Sequence, residues 1–298
     1  MRVFVTGATG FIGAAVAKDL IAAGHRVLGL ARSDRAAASL VAAGIDVHRG
    51  SLQDIESLAS GAADVDGVVH TAFVHDFSNF KVSCEIDRKA IEVLGSALAG
   101  SDRPLVITSG TVLLASDCLA IEESIPDSRS TSIPRIASEE AATSVAALGV
   151  HISVVRLPPT VHGDGDHGFV PLLIGLAREK GVSAYVGDGL NRWPSVHLLD
   201  AARLYRLALE KNSAGARYHG VAEEGVPFRD IADVIGRRLN VPVVSKTAEE
   251  AAAHFGWFAS FASIDNPTSS AMTQDSLGWR PTQGSLIPDL DRGSYFDN

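Results

Sequence analysis

Two cysteines in 298 residues, Cys84 and Cys118, are too few for a disulfide-stapled scaffold. Basic charge is also short: 26 Lys and Arg face 35 Asp and Glu, a formal net charge of −9. That balance leaves no footprint for nucleic acid or an anionic membrane surface. No apolar run reaches the roughly 18 residues that a membrane-spanning helix needs. The opening Met1-Arg2-Val3-Phe4-Val5-Thr6-Gly7 enters a strand pattern at once, without the charged-then-apolar start of a secretory signal. Low hydrophobicity with high net charge, the signature of disorder, is absent as well, since 46% of residues are hydrophobic. The expectation is a soluble, cytoplasmic, globular protein of one large or two modest domains with a real core.

What is present in the first half is alternation. Arg2 to Thr6, Arg26 to Ala31, Ile45 to His48, Gly67 to Thr71, Leu105 to Ser109 and Ile152 to Arg156 are short β-branched runs bounded by turn residues, and read as buried strands. Between them, Ile12, Val16 and Leu20-Ile21 share one helical face, as do Ala90-Ile91, Leu94 and Ala97-Leu98. Strand–helix–strand order of this kind predicts an α/β fold, a doubly wound parallel sheet with helices on both faces. Past Pro158-Pro159 the rhythm loosens into helical stretches near 170–179, 198–210, 228–239 and 247–257. The expected division is a dinucleotide-binding domain over 1–160, to which the chain returns around 190–212, and a smaller substrate lobe over most of 161–298.

The first strand runs into Gly7-Ala8-Thr9-Gly10-Phe11-Ile12-Gly13, after which the first helix begins. Glycines there permit a tight turn and let a pyrophosphate approach the helix N-terminus. Strand before and helix after turn a common glycine pattern into a specific one, so Gly7, Thr9, Gly10, Phe11, Ile12 and Gly13 are expected to bind a dinucleotide. An NAD site usually carries Asp or Glu about 20 residues on, to hold the ribose 2′-hydroxyl. Here the second strand ends in Ala31-Arg32-Ser33, with no acid until Asp34. A guanidinium fork at Arg32 and a hydroxyl at Ser33 suit a 2′-phosphate, so the expected cofactor is NADP. Ser51, Leu52, Thr71, Ala72, Thr108 and Pro158 complete the expected cofactor-binding set.

Thr6 to Gly13, Val69-His70-Thr71-Ala72, Ile107-Thr108-Ser109-Gly110, Arg156-Leu157-Pro158 through His162-Gly163, and Ser195 to Ala201 together resemble an extended short-chain dehydrogenase/reductase, in order and over nearly the whole chain. The resemblance implies a Rossmann domain binding NAD(P), a C-terminal substrate lobe, and redox chemistry at a carbonyl or alcohol, or else sugar-nucleotide epimerisation or dehydration. It also exposes departures. The family works with a Tyr and a Lys four residues later, the Lys keeping the phenol near its working pKa. The matching segment is Pro134-Arg135-Ile136-Ala137-Ser138-Glu139, which puts Arg135 and Glu139 in those places, and Asp87 stands for the family's fourth-helix Asn. The chain is thus similar to an atypical member.

Arg135 cannot act as an acid, because guanidinium stays protonated, but it can polarise a carbonyl or stabilise an alkoxide. Glu139 can act as an acid only if burial raises its pKa; the plain alternative is an i, i+4 ion pair between Arg135 and Glu139. Ser109 and Thr111 offer hydroxyls to a substrate oxygen. His162, His167 and His75 are the residues best suited to exchange a proton. The candidate catalytic set is Ser109, Thr111, Arg135, Glu139 and His162. No metal is expected at His162, Asp164, Asp166 and His167, because neighbouring turn residues point apart; a mobile loop touching substrate or nicotinamide suits them better. His254 to Phe261 concentrates aromatics, either as a core helix face or as an apolar wall over a substrate. The leading expectation is an NADP-dependent oxidoreductase moving a hydride to or from a small carbonyl or alcohol. Alternatives are a non-catalytic NADP(H) sensor and a sugar-nucleotide epimerase or dehydratase. The expected partner is a small-molecule substrate, and a homodimer is the default assembly.

Overall fold

The structure, a computed structural model, describes residues 1–115, 118–126, 133–292 and 294–297. Its centre is a seven-stranded, wholly parallel sheet. In chain order the first six strands are β1 (Arg2–Thr6), β2 (Arg26–Ala31), β3 (Asp46–Arg49), β4 (Gly67–His70), β5 (Leu105–Gly110) and β6 (Ile152–Leu157). The helices between them are α1 (Phe11–Ala22), α2 (Asp34–Ala42), α3 (Ile55–Ala63), α4 (Phe80–Leu98) and α5 (Ile136–Ala147). The spatial order of these strands is 3-2-1-4-5-6, so the chain reverses direction across the sheet between β1 and β4. In open α/β sheets, ligands bind outside the carboxyl ends of the strands at such a switch point.

Alternation along β1 sorts the core. Val3 and Val5 face one layer, with Val16 and Leu20 of α1, while Phe4 faces the other, with Leu58 of α3 and Leu94 of α4. Side chains of successive strand residues point to opposite faces, and both faces here are covered, which is why the strands are apolar throughout. The first layer is completed by a later segment. After β7 (Thr160–His162), α6 (Phe169–Lys180), β8 (Ser183–Val186) and β9 (Arg192–His197), helix α7 (Leu198–Lys211) brings Ala201, Leu204, Tyr205 and Ala208 against that face of the sheet. Strand β10 (Arg217–His219) then pairs with β6 as the seventh strand.

The remaining chain forms β11 (Glu223–Pro227), α8 (Phe228–Leu239), β12 (Val243–Lys246), α9 (Ala248–Phe255), α10 (Ala259–Ala262), α11 (Ala271–Leu277) and α12 (Leu286–Arg292). Two small sheets, β11-β9-β7 and β12-β8, support a separate apolar cluster around Trp193, Phe228, Ile231 and Phe258. Several boundaries differ from the sequence reading: the fourth strand ends one residue earlier, and the fifth and sixth one residue later. The third strand is Asp46–Arg49, shifted by one residue, because Ile45 packs into the core from the turn before it. The helix expected over 247–257 ends at Phe255. Thr247 and Glu250 cap its start reciprocally, and Gly256 at φ +58° ends it, a conformation that glycine adopts without a side-chain penalty. Among the described residues no helix is long and apolar enough to cross a membrane.

Candidate functional site

The glycine turn between β1 and α1 is built for close approach. Gly7 sits at φ +74°, and a Cβ there would lie 2.8 Å from the Ala72 backbone nitrogen and from Thr71 Oγ1. A Cβ on Gly13 would collide with the Gly7 carbonyl oxygen. The Gly10 N–H donates to that same carbonyl at 2.8 Å, closing the turn. Gly10 caps α1 with no side-chain hydrogen bond, so the first N–H groups of the helix keep their capacity for an anion. The turn is a cradle that side chains would fill, and it fits a dinucleotide pyrophosphate. Thr71 fixes it from β4 by donating to the Thr6 carbonyl at 2.7 Å, and the Ala72 N–H donates to Thr6 Oγ1 at 3.3 Å.

Beyond β2, Arg32 is exposed and makes no ion pair among the described residues, and Arg35 is exposed beside it. Ser33 caps α2, its Oγ accepting from the Ala36 N–H at 3.2 Å. Asp34, the first acid after the strand, pairs with Arg49 at the end of β3, 2.6 Å away. Ser51 and Leu52 follow β3 in the connection to α3, both half-buried. Thr108 donates to the His70 carbonyl at 2.8 Å and meets the Tyr205 hydroxyl at 2.7 Å, while Pro158 is buried just past β6.

Arg135 and Glu139 do not pair with each other; each is claimed by a different buried network. Arg135 Nη1 lies 2.5 Å from Asp87 Oδ2 and 2.6 Å from Ser138 Oγ, and Nη2 donates to the Thr108 carbonyl at 2.9 Å. Asp87 also accepts from Ser138 Oγ at 2.6 Å and meets His70 Nε2 at 3.1 Å; His70 Nδ1 in turn meets Thr6 Oγ1 at 2.7 Å. Burial by itself would raise the Asp87 pKa, but the Arg135 guanidinium, His70 and Ser138 overcome it and hold the carboxyl well below the usual range. The guanidinium also lies flat over Phe73, 4.1 Å from the ring centre.

Glu139 takes both forks of Arg156, Nε to Oε1 and Nη2 to Oε2, each at 2.7 Å. Ser109 Oγ donates to the same carboxylate at 2.8 Å. Thr111 turns away, its hydroxyl donating to Asn266 Oδ1 at 2.8 Å while Asn266 Nδ2 donates back to the Thr111 carbonyl. Ser109, Thr111 and Glu139 are all buried, and each is hydrogen-bonded to other protein groups.

His162 is also buried, with Nδ1 2.8 Å from Asp289 Oδ2 of α12. Burial lowers its pKa against the pull of that carboxylate. The turn that follows is pinned rather than loose: the Gly163 N–H donates to the Tyr295 hydroxyl, Tyr295 donates to Asp166 Oδ2 at 3.0 Å, and Asp166 Oδ1 accepts from the Gly168 N–H at 2.7 Å. Among the described residues no three His, Cys, Asp or Glu side chains converge as a metal site. His167 meets Phe11 at the start of α1 edge to face, ring centroids 5.7 Å apart.

The aromatic segment splits in two. Phe255 and Phe258 are buried in the lobe's core, whereas Trp257 is 49% exposed and stacks on Phe77 at 4.3 Å and 16°. Phe77 belongs to the connection between β4 and α4, which also carries Phe73 and His75; Phe80 and Phe261 close round it. This apolar wall joins the two lobes across the carboxyl edge of β4. Composition gave no sign of Phe73 and Phe77; the available signal was the Phe-Val-His-Asp-Phe run straight after a strand end.

The family model for the NAD dependent epimerase/dehydratase family matches residues 3–221. The chain belongs to that family. It is 52% identical over 296 residues to an uncharacterised protein of Schizosaccharomyces pombe, covering 99% of this chain and 100% of the relative. It is 28% identical over 260 residues to a 2-alkyl-3-oxoalkanoate reductase of Stenotrophomonas maltophilia, covering 83% and 78% of the two chains. Among solved structures it superposes on a dTDP-glucose 4,6-dehydratase of Streptomyces venezuelae with NAD bound, at a TM-score of 0.77 and 22% identity, over 98% and 95% of the chains. Family and fold support an NAD(P)-binding protein of oxidoreductase type.

Proposed function

We propose that the protein uses NADP(H) to interconvert a carbonyl compound of apolar body and its alcohol. The observation that carries the cofactor choice is Arg32, an exposed guanidinium past β2 where an NAD site would place a carboxylate, the first acid after the strand, Asp34, being paired with Arg49. The apolar wall of Phe77, Trp257 and Phe261 supports a substrate with a hydrophobic body. The name of the Stenotrophomonas relative, a reductase of an alkylated 3-oxo acid, points the same way. When bound, the dinucleotide supplies or accepts the hydride.

The chain's own residues bind and orient. Gly7, Gly10 and Gly13 receive the pyrophosphate, and Thr71 and Ala72 hold the turn. Arg135, fixed by Asp87, Ser138 and Thr108, keeps a positive charge at the carboxyl edge of the sheet, suited to a developing alkoxide. Ser109, Glu139, Thr111 and His162 act from behind, positioning β5, α5 and β7 through their buried bonds.

The Arg32→Ala variant tests the cofactor choice. Loss of a charge-assisted contact to the 2′-phosphate is worth about 1.5–3 kcal/mol, so NADPH should bind roughly 10- to 100-fold more weakly while NADH is nearly unaffected. Fluorescence titration of both cofactors reads this directly, and equal weakening would contradict it. The absent Tyr–Lys pair favours one second reading, a sensor that binds NADP(H) without turnover. Tight NADPH binding with no oxidation against a panel of aldehydes, ketones and 3-oxo esters would support it.

A further inference from the structure

We propose that His75 is the group that exchanges the proton with the substrate oxygen, in place of the missing tyrosine. The inference rests on the carbonyl–alcohol reading above. His75 lies in the connection between β4 and α4, at the switch point where the sheet order reverses. Its ring sits 5.1 Å from Phe73, and Arg135 covers the face of that same ring at 4.1 Å. One side of His75 also touches Phe77, 6.3 Å away, the residue on which Trp257 stacks. The Arg135 guanidinium, an imidazole and an apolar wall therefore meet around two phenylalanines at the carboxyl edge of the sheet.

The other groups able to exchange a proton here are committed elsewhere. Tyr205 is buried against Thr108, and Tyr295 is bonded to Asp166 and the Gly163 N–H. His162 is tied to Asp289, His70 to Thr6 and Asp87, and Ser109 to Glu139. His167 is exposed, but its Nδ1 meets the carbonyl of Gly165 in its own turn and its ring packs on Phe11 at the start of α1. His75 is exposed beside Phe73 and Phe77; its hydrogen bond is to the backbone of Phe73, and no side chain among the described residues is hydrogen-bonded to its ring.

In the reductive direction the C=O π bond is replaced by two new bonds. The carbon gains a hydride from the reduced nicotinamide, and the oxygen gains the proton of the His75 imidazolium. The carbonyl compound is reduced, the dinucleotide oxidised, and the neutral imidazole takes its next proton from solvent. Three charged or titratable groups bear on His75: Arg135 at the start of α5, His167 in the turn before α6, and Asp87 in α4. Desolvation by burial, then the charges of Arg135 and His167, lower its pKa below 6.5, against the weaker pulls of the Phe73 backbone hydrogen bond and of Asp87. Reduction should therefore slow as pH rises through a value below 6.5, and oxidation of the matching alcohol should quicken through that same value.

The experiment combines two readouts on the full chain. The first is the NMR titration of the His75 ring in cofactor-free protein. The second is the pH dependence of kcat/KM for reduction with NADPH, in the wild type, His75→Gln and His167→Gln. We expect the kinetic limb to coincide with the NMR titration of His75. We also expect His75→Gln to lower kcat about 100-fold or more, abolish the limb and leave NADPH affinity within about twofold. His75→Gln with an unchanged profile, a limb that moves with His167→Gln instead, or an NMR titration more than about one unit from the limb would each overturn the assignment while leaving the reductase reading standing. A wild type that binds NADPH and reduces no carbonyl would overturn both.

Discussion

Glu139→Ala should cost the fold about 3–5 kcal/mol, as breaking one half of a buried ion pair generally does. The Arg156 side chain is fully buried, and Glu139 is the carboxylate that takes both of its forks. Its remaining partners are neutral: the carbonyls of Glu122 and Ser124, and His219 Nε2 at 3.3 Å. Burial pushes the His219 pKa down to about 4, so the ring is neutral at ordinary pH. Its Nδ1 hydrogen then serves the Ser269 carbonyl at 2.7 Å, and Nε2 is left to accept from the arginine. Removing Glu139 thus strands a guanidinium with acceptors but no counter-charge. Against a typical stability of about 5–15 kcal/mol the loss is large. Urea unfolding of Glu139→Ala, with the double variant Glu139→Leu/Arg156→Leu beside it, checks the mechanism. The double variant should lose less than Glu139→Ala, because it removes the stranded charge as well. A loss below about 1 kcal/mol for Glu139→Ala would mean that water reaches Arg156.

The second large effect is at Asp87. Its carboxylate holds Arg135, Ser138 and His70 together between α4, α5 and β4, with the side chain 1% exposed. Asp87→Asn keeps the shape and removes the charge, and should destabilise the protein by about 3 kcal/mol near neutral pH. The pH dependence has a definite sign. The folded pKa is depressed below the unfolded value near 3.8, so the carboxylate's contribution is whole above about pH 5 and is lost as pH falls from there toward the folded pKa. The stability gap between wild type and Asp87→Asn should therefore be flat from pH 7 to about pH 5 and shrink on further acidification. Chemical unfolding at several pH values measures it, and a gap that widened in acid would refute the assignment of the low pKa to Asp87.

The two networks also explain the unusual residues at the start of α5. There the chain carries two charges four residues apart, each answered from another element: Arg135 by Asp87 of α4, Glu139 by Arg156 of β6. Helical spacing made a direct Arg135–Glu139 pair the obvious local guess. Spacing along one helix cannot see that a neighbouring helix and a strand offer better-placed, fully buried partners. Cys84 sits close to the first network, and burial pushes its thiol up to about 11, the state of an inert core residue.

By itself the sequence determined the architecture of the first half. β1 and β2 stand at the predicted residues and the other four strands within a residue or so, because buried parallel strands are short apolar runs bounded by turn residues, and that pattern is local. It determined the glycine turn for the same reason: Gly7 and Gly13 are dictated by φ and by clashes within the strand–turn–helix unit and with the adjacent β4 connection. Only the tertiary structure decided which charges pair, that Ser109 and Thr111 turn inward to Glu139 and Asn266, and that the turn after His162 is pinned by Tyr295 from the far end of the chain. It also brought Phe77 onto Trp257, residues 180 positions apart, and left His75 exposed beside them. Partners this distant in sequence meet only once the sheet is closed and the second lobe is folded against it, and no local pattern encodes their encounter.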